Sequence, residues 1–158
     1  MKLLDIVVKD AIIPDLVATE RDAAIADIID ALVNAGALSP KLRDEFIKAV
    51  IKREKRGSTG FGHGVAVPHV KHPAISKMAI TVGISHTGVE FNALDKQPVY
   101  AIFLLLSPED QPEEHLDAME AVFGSLSQET FRRFLRQAKT VDEIMTLLQE
   151  ADAKAPVR

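Results

Sequence analysis

The run VYAIFLLL, Val99 to Leu106, constrains the fold more than any other segment, because it is apolar at consecutive positions. A strand with one face in water alternates apolar and polar residues, whereas a strand buried on both faces does not. The run is also far shorter than the roughly 20 residues of a membrane-spanning helix. It therefore predicts the central strand of a sheet that is covered on both sides.

Helical patterns precede this strand in the chain. The segment TERDAAIADIIDALVNAG has apolar residues at helical spacing, with Thr19 as the predicted N-cap and Gly36 as the C-terminal stop. The segment SPKLRDEFIKAVIKREKRG repeats this pattern, with Ser39 as its cap and Gly57 as its terminator. Both segments are predicted to be amphipathic helices that pack on the sheet.

Shorter β-rich segments and further helices complete the pattern. VAVP and MAITVGIS are predicted strands, and AIIPDL is a predicted edge strand because Pro14 cannot donate to a ladder. Further helices are predicted near Pro112, over ETFRRFLRQA, and over TVDEIMTLLQEA, which opens with a Thr140/Glu143 capping box. We expect residues 1–158 to form one α/β domain, a sandwich with a mixed β-sheet flanked by helices on both faces.

Composition narrows the functional classes. The chain has no cysteine, which removes disulfides, thiol nucleophiles and thiolate metal sites, and which suits the cytoplasm. Its net charge of −4 disfavours a nucleic-acid partner, which usually meets a basic surface. Charged residues interrupt the apolar N-terminus, so we expect neither a signal peptide nor membrane insertion.

The segment GSTGFGHGVAVPHVKHP, residues 57–73, holds four of the eight glycines and three of the five histidines. Its glycine spacing does not fit a P-loop, and it runs from helix to strand, opposite to a dinucleotide fingerprint. A zinc site would need His63, His69, His72 and His115 to converge. If His69 and His72 lie on a strand, their odd and even positions point to opposite faces. We therefore expect no metal and no nucleotide cofactor, with a metal site kept as an alternative.

Phosphoryl transfer through a histidine fits the segment better. A neutral imidazole nitrogen must reach a phosphoryl group, and the other ring nitrogen must be anchored so that the tautomer is fixed. The transition state spreads negative charge over the phosphoryl oxygens, which donors and cations stabilise. Ser58, Thr59, the loop N–H groups and Arg53 or Arg56 are the candidate donors, and Gly60 keeps the loop open to a partner.

The segment REKRGSTGFGHGVAVPH resembles the signature of the fructose/mannitol-type enzyme IIA domains of the sugar phosphotransferase system, including the stand-alone nitrogen-regulatory branch. The order of elements resembles that family from Leu3 to Leu148. The resemblance implies that His69 is phosphorylated, that Arg53 lies near the phosphoryl group, and that His115 approaches His69. Ser58, Thr59 and Gly60 are the predicted phosphoryl-binding residues.

The resemblance also implies partners. An HPr-like phosphocarrier would donate the phosphoryl group, and a IIB-type protein or a regulated target protein would receive it or respond to it. Two positions depart from the family pattern, because His63 stands where a small or amide residue is usual and Val70 stands where glycine is common. The alternatives are a regulatory interaction protein that no longer turns over phosphate and a histidine-ligated metal hydrolase. We expect these 158 residues to leave no room for IIB or IIC domains, so that a transport role would need separate polypeptides, which favours a regulatory role.

Overall fold

A computed structural model of the chain describes residues 1–154, so the last four residues of the predicted 1–158 domain lie outside the described part. The helices are α1 (Arg21–Asn34), α2 (Arg43–Arg56), α3 (Pro112–Leu126), α4 (Glu129–Gln137) and α5 (Val141–Lys154). The strands are β1 (Val65–Ala66), β2 (His69–His72), β3 (Ala79–Val89) and β4 (Val99–Pro108). Short 3-10 turns cover Leu3–Asp5, Lys9–Ala11 and Pro40–Leu42. Of the helices within these 154 residues, none has the length and apolarity that crossing a bilayer requires.

Strand β4 is the centre of the sheet, as the apolar run predicts. β3 pairs with one of its edges in antiparallel orientation. β1 and β2 pair with β4 in parallel orientation, and the same register continues from Val65↔Ala101 to His69↔Leu105. Val67 and Pro68 separate the two parallel strands, and the sheet is mixed.

Side chains of β4 alternate between two cores. Ala101, Phe103 and Leu105 belong to a cluster with residues of α3, α4 and α5. Ile102 and Leu104 belong to a second cluster with residues of α1 and α2. Because each face of the sheet buries its own helical layer, the predicted α/β sandwich with helices on both faces is confirmed.

Several predicted helix boundaries are confirmed. α1 stops before Gly36, which has a positive φ of 80°, and Gly57 caps α2. Ser39 accepts a hydrogen bond from the Lys41 N–H at 3.3 Å and caps the 3-10 turn that runs into α2, whereas the N-cap position of α2 itself belongs to Leu42. The capping box of α5 is also present, with the Glu143 N–H donating to Thr140 Oγ1 at 3.1 Å.

Two local predictions were wrong. Thr19 is not the N-cap of α1, because that position belongs to Glu20, which makes no side-chain cap bond. The Thr19 carbonyl accepts instead from the Glu90 N–H at 2.7 Å, so backbone pairing with the end of β3 decides where the helix begins. The predicted edge strand AIIPDL is not a regular strand. Ile13 forms an isolated bridge with Gly83, and the Leu16 N–H donates to the Ile84 carbonyl at 2.7 Å, while Pro14 between them has no N–H to donate.

The observed strands also differ in length from the predicted ones. The segment VAVP forms only the two residues of β1, because Pro68 cannot donate to the ladder. The residues after it form β2, a strand that the sequence pattern did not reveal. β3 runs on to Val89, beyond the predicted MAITVGIS segment, with an irregularity in its pairing between Ile84 and Val89.

Candidate functional site

Two histidines from distant parts of the chain meet at one end of the sheet. His69 is the first residue of β2, and His115 lies in the first turn of α3. Their ring centroids are 5.5 Å apart, with an interplanar angle of 51°. The approach of His115 to His69, which the family resemblance implies, is present in the structure.

The orientation of His69 follows from a bond to its own strand. Nδ1 lies 2.7 Å from the carbonyl oxygen of Val67. Because a carbonyl can only accept, Nδ1 must carry a proton and donate it, so the neutral ring leaves Nε2 with a free lone pair. Burial lowers the pKa of His69, and the nearby positive charges of Arg53 and Lys71 add to this effect. A neutral His69 has an unprotonated nucleophilic nitrogen.

His115 is held by a serine that the sequence pattern did not identify. Its Nδ1 lies 2.7 Å from the hydroxyl oxygen of Ser107, at the end of β4. Ser107 is fully buried and His115 is 6% exposed. Burial lowers the pKa of His115 to about 4, with smaller contributions from His69 and Lys71. His115 is therefore uncharged at neutral pH.

Arg53 brings a positive charge to this end of the sheet. It lies in the last turn of α2, and its Nη1 donates to the Gly57 carbonyl at 2.8 Å. Its charge is one of the causes that lower the pKa of His69. Arg53 thus both closes the end of the helix and contributes to the electrostatic field at His69.

The predicted phosphoryl-binding residues are engaged in internal bonds. The N–H and the hydroxyl of Thr59 both donate to Oε1 of Glu54, at 3.0 Å each. The N–H of Gly60 donates to Ser58 Oγ at 3.0 Å. Contact of Ser58, Thr59 and Gly60 with a phosphoryl group stays a prediction.

Glu54 is a second residue that the sequence reading missed, because it lies among exposed cations. It is 3% exposed, and burial raises the pKa of its carboxyl group, although the bonds from Thr59 act in the opposite direction. Its other oxygen, Oε2, has no hydrogen-bond partner within residues 1–154. Glu54 fixes the loop that follows α2.

A chain of hydrogen bonds links this loop to His69. Glu54 holds Thr59, and the Thr59 carbonyl accepts from the Val67 N–H at 3.4 Å. The carbonyl of Val67 in turn accepts from His69. The buried carboxylate therefore helps to set the backbone that orients His69.

The other histidines of the segment do not join His69. His72 points to the opposite face of the sheet, where Nε2 lies 3.0 Å from a Glu45 carboxylate oxygen and the ring packs on Phe46. His63 is exposed, with a left-handed φ of 60° in the glycine-rich turn. Within the described 154 residues, no group of three or more histidine or carboxylate side chains is placed to hold a metal ion. The predicted divergence of His69 and His72 is confirmed.

The fold identifies a class, the IIA proteins of the phosphotransferase system. The chain is similar to the nitrogen regulatory protein IIA-Ntr from Neisseria meningitidis, with a TM-score of 0.82, 29% identity, and coverage of 91% of this chain and 97% of that one. It shares its fold with IIA mannitol of Escherichia coli, solved in complex with phosphorylated IIB mannitol, with a TM-score of 0.75, 22% identity, and coverage of 89% and 95%.

Curated relatives support the same class of protein. The fructose-specific EIIA component from Haloferax volcanii is 32% identical over 130 residues, covering 82% of this chain and 83% of the relative. The fructose-specific EIIABC component from Bacillus subtilis is 30% identical over 152 residues, which are 96% of this chain and only 24% of that longer protein. Residues 5–151 match the family model of the phosphoenolpyruvate-dependent sugar phosphotransferase system, EIIA 2. The chain belongs to this family.

Proposed function

We propose that this protein is a phosphohistidine carrier in which Nε2 of His69 accepts a phosphoryl group from the phosphohistidine of an HPr-like carrier. The bond between phosphorus and the donor nitrogen breaks, and its electron pair stays on the donor ring. The lone pair of His69 Nε2 forms the new bond to phosphorus. The bond from His69 Nδ1 to the Val67 carbonyl carries this proposal, because it leaves Nε2 as the free nitrogen.

The same bond assists the reaction. When Nε2 forms a bond to phosphorus while Nδ1 keeps its proton, positive charge develops on the ring. The Val67 carbonyl already faces that proton at 2.7 Å and stabilises the developing charge without reorganisation. Arg53 is the proposed cation for the phosphoryl oxygens, and a guanidinium fork suits such oxygens.

The acceptor would be a IIB-type protein, or the phosphorylation state of His69 would regulate a target protein. The complex of IIA mannitol with phosphorylated IIB supports the first route. The similarity to nitrogen regulatory proteins supports the second. Both routes use one phosphorylated histidine.

Intact-mass measurement tests the carrier function directly. The protein is incubated with phosphoenolpyruvate, enzyme I and HPr, and a single acid-labile, alkali-stable phosphoryl adduct is expected. The adduct should be absent from His69→Ala and present in the matched variant His72→Ala, whose ring lies on the opposite face of the sheet. An adduct that persists in His69→Ala, or no adduct with a cognate donor, would contradict the proposal.

A further inference from the structure

Ser107 occupies an unusual position for a polar side chain. It extends the apolar run of β4 and is fully buried, on the same face as Leu105. Its strand partner Lys71 contributes to the low pKa of both site histidines. The short connection to α3 brings His115 back over β4, so that its Nδ1 meets the Ser107 hydroxyl at 2.7 Å.

The hydroxyl proton of Ser107 decides the direction of this bond. Within residues 1–154, His115 is the hydrogen-bond partner that the structure gives to Ser107 Oγ. If His115 Nδ1 donated to the serine, the hydroxyl proton would be buried without an acceptor, which is costly. If the serine donates instead, both the hydroxyl proton of Ser107 and Nδ1 of His115 have a hydrogen-bond partner. The second arrangement requires Nδ1 to be unprotonated.

The tautomer of His115 follows from this arrangement. His115 is neutral, since burial holds its pKa at about 4, so its ring carries one proton. With Nδ1 accepting from Ser107, that proton is on Nε2. An N–H is a donor for a phosphoryl oxygen, whereas a bare nitrogen would repel it.

We propose that Ser107 is a positioning residue that donates to His115 Nδ1 and so keeps a proton on His115 Nε2, where it is available to a phosphoryl group on His69. This inference rests on the proposed carrier function for its catalytic consequence. The tautomer itself is a property of the unphosphorylated protein. His69 and His115 are therefore held in opposite tautomers, one with the proton on Nδ1 and the other with the proton on Nε2.

Long-range ¹⁵N–¹H correlation spectra of the imidazole rings test the tautomer in the unphosphorylated protein at about neutral pH. His115 is expected to show a protonated Nε2 and an unprotonated Nδ1. Ser107→Ala should give a mixture of tautomers, and Ser107→Thr, which keeps the hydroxyl, should restore the single form. A protonated Nδ1 in the native chain, or an unchanged spectrum in Ser107→Ala, would overturn the proposal.

Ser85→Ala is the matched control, because Ser85 is also buried but accepts from the backbone of Gly88 at 2.9 Å and does not contact His115. It should leave the His115 tautomer unchanged. A change in this variant equal to that of Ser107→Ala would mean that general loosening of the sheet, and not the serine bond, moves the tautomer.

Transfer rates test the consequence. Ser107→Ala should slow phosphoryl transfer from phosphorylated HPr by about three- to tenfold, the effect of losing one neutral hydrogen bond. Ser107→Thr should recover most of this rate. The double variant Ser107→Ala/His115→Ala should be no slower than His115→Ala alone, since the serine acts through the histidine. A further three- to tenfold loss in the double variant would contradict that role.

Different results would contradict the carrier function and the role of Ser107. If the native chain accepts no phosphoryl group, the carrier function is wrong, while the ¹⁵N spectra still decide the Ser107–His115 arrangement. If the chain is phosphorylated on His69 but His115 carries its proton on Nδ1, the carrier function stands and the role of Ser107 is wrong.

Discussion

Replacing Thr59 by valine would test whether the buried Glu54 carboxylate is held by the loop. The substitution conserves shape but removes one of the two donors to Glu54 Oε1, each at 3.0 Å. Thr59 is 8% exposed and Glu54 is 3% exposed, so little water replaces the lost donor. A hydrogen bond to a charged group contributes about 1.5–3 kcal/mol, so Thr59→Val should lower the free energy of unfolding by this amount at a pH above the folded pKa of Glu54, where the carboxyl group is ionised.

The loss of unfolding free energy in Thr59→Val should depend on pH. Burial raises the pKa of Glu54 in the folded protein, and the hydroxyl bond from Thr59 counteracts that rise because it favours the ionised carboxylate. The bond is therefore fully effective above the folded pKa of Glu54. As pH falls through that value, the carboxyl group becomes neutral and the difference between the native chain and Thr59→Val should shrink.

Urea unfolding measures this difference. With a denaturant slope of about 2 kcal/mol/M, a loss of 1.5–3 kcal/mol moves the midpoint by about 0.7–1.5 M. In a Glu54→Gln background the acceptor is neutral, so Thr59→Val should cost only about 1 kcal/mol. Thr146→Val is the matched control, because the Thr146 hydroxyl donates to the backbone carbonyl of Asp142 on an exposed helix surface, and it should cost less than about 0.5 kcal/mol. An equal cost of Thr59→Val in both backgrounds would refute the charged-acceptor argument.

Three other predictions follow from the site and its surroundings. Gly60→Ala would place a Cβ 2.9 Å from the Cβ of Ala93 and should lower the free energy of unfolding in urea by about 1–3 kcal/mol. Gly124→Ala lies in α3, where an added Cβ meets nothing within 4 Å, and should raise that free energy by about 0.5–1 kcal/mol. Equal effects of the two variants would contradict the packing argument. Arg53→Ala should keep the fold, as judged by circular dichroism, yet slow phosphoryl transfer by about 10²- to 10³-fold. An unchanged transfer rate would mean that Arg53 only stabilises the end of its helix. An NMR titration of His115 should show its midpoint at about pH 4, because burial disfavours the charged ring, and a midpoint near the usual histidine value would show an open site.

Patterns that arise from local periodicity were readable in the sequence. The two-sided apolar run predicted the central strand β4, and the helical stripes and Gly57 predicted α2. Thr19 failed as an N-cap because a backbone bond from Glu90, distant in sequence, sets the chain direction there. Propensity describes what a segment prefers alone, and this tertiary bond outweighs it.

The site was only partly readable for a related reason. The family signature pointed to His69, His115 and Arg53, and the structure brings the two histidines together. Glu54 was hidden because its neighbours are exposed cations and its burial depends on how the loop folds back. The sequence marks Ser107 only as a hydroxyl that follows an apolar run. Its partner His115 cannot be predicted without knowing that α3 packs on β4.

The hydrogen-bond chain from Glu54 to His69 has a dynamic consequence. The Val67 N–H donates to the loop and the Val67 carbonyl accepts from the imidazole, so we expect the opening of one contact to loosen the other. Local openings of this kind occur at free energies below that of global unfolding. Whenever the segment opens, the imidazole loses the bond that fixes its tautomer, so under the proposed function we expect the fraction of molecules competent for transfer to follow the fraction in which the segment is closed. Amide hydrogen exchange at Val67 would thus report, in the resting protein, the size of the reactive population.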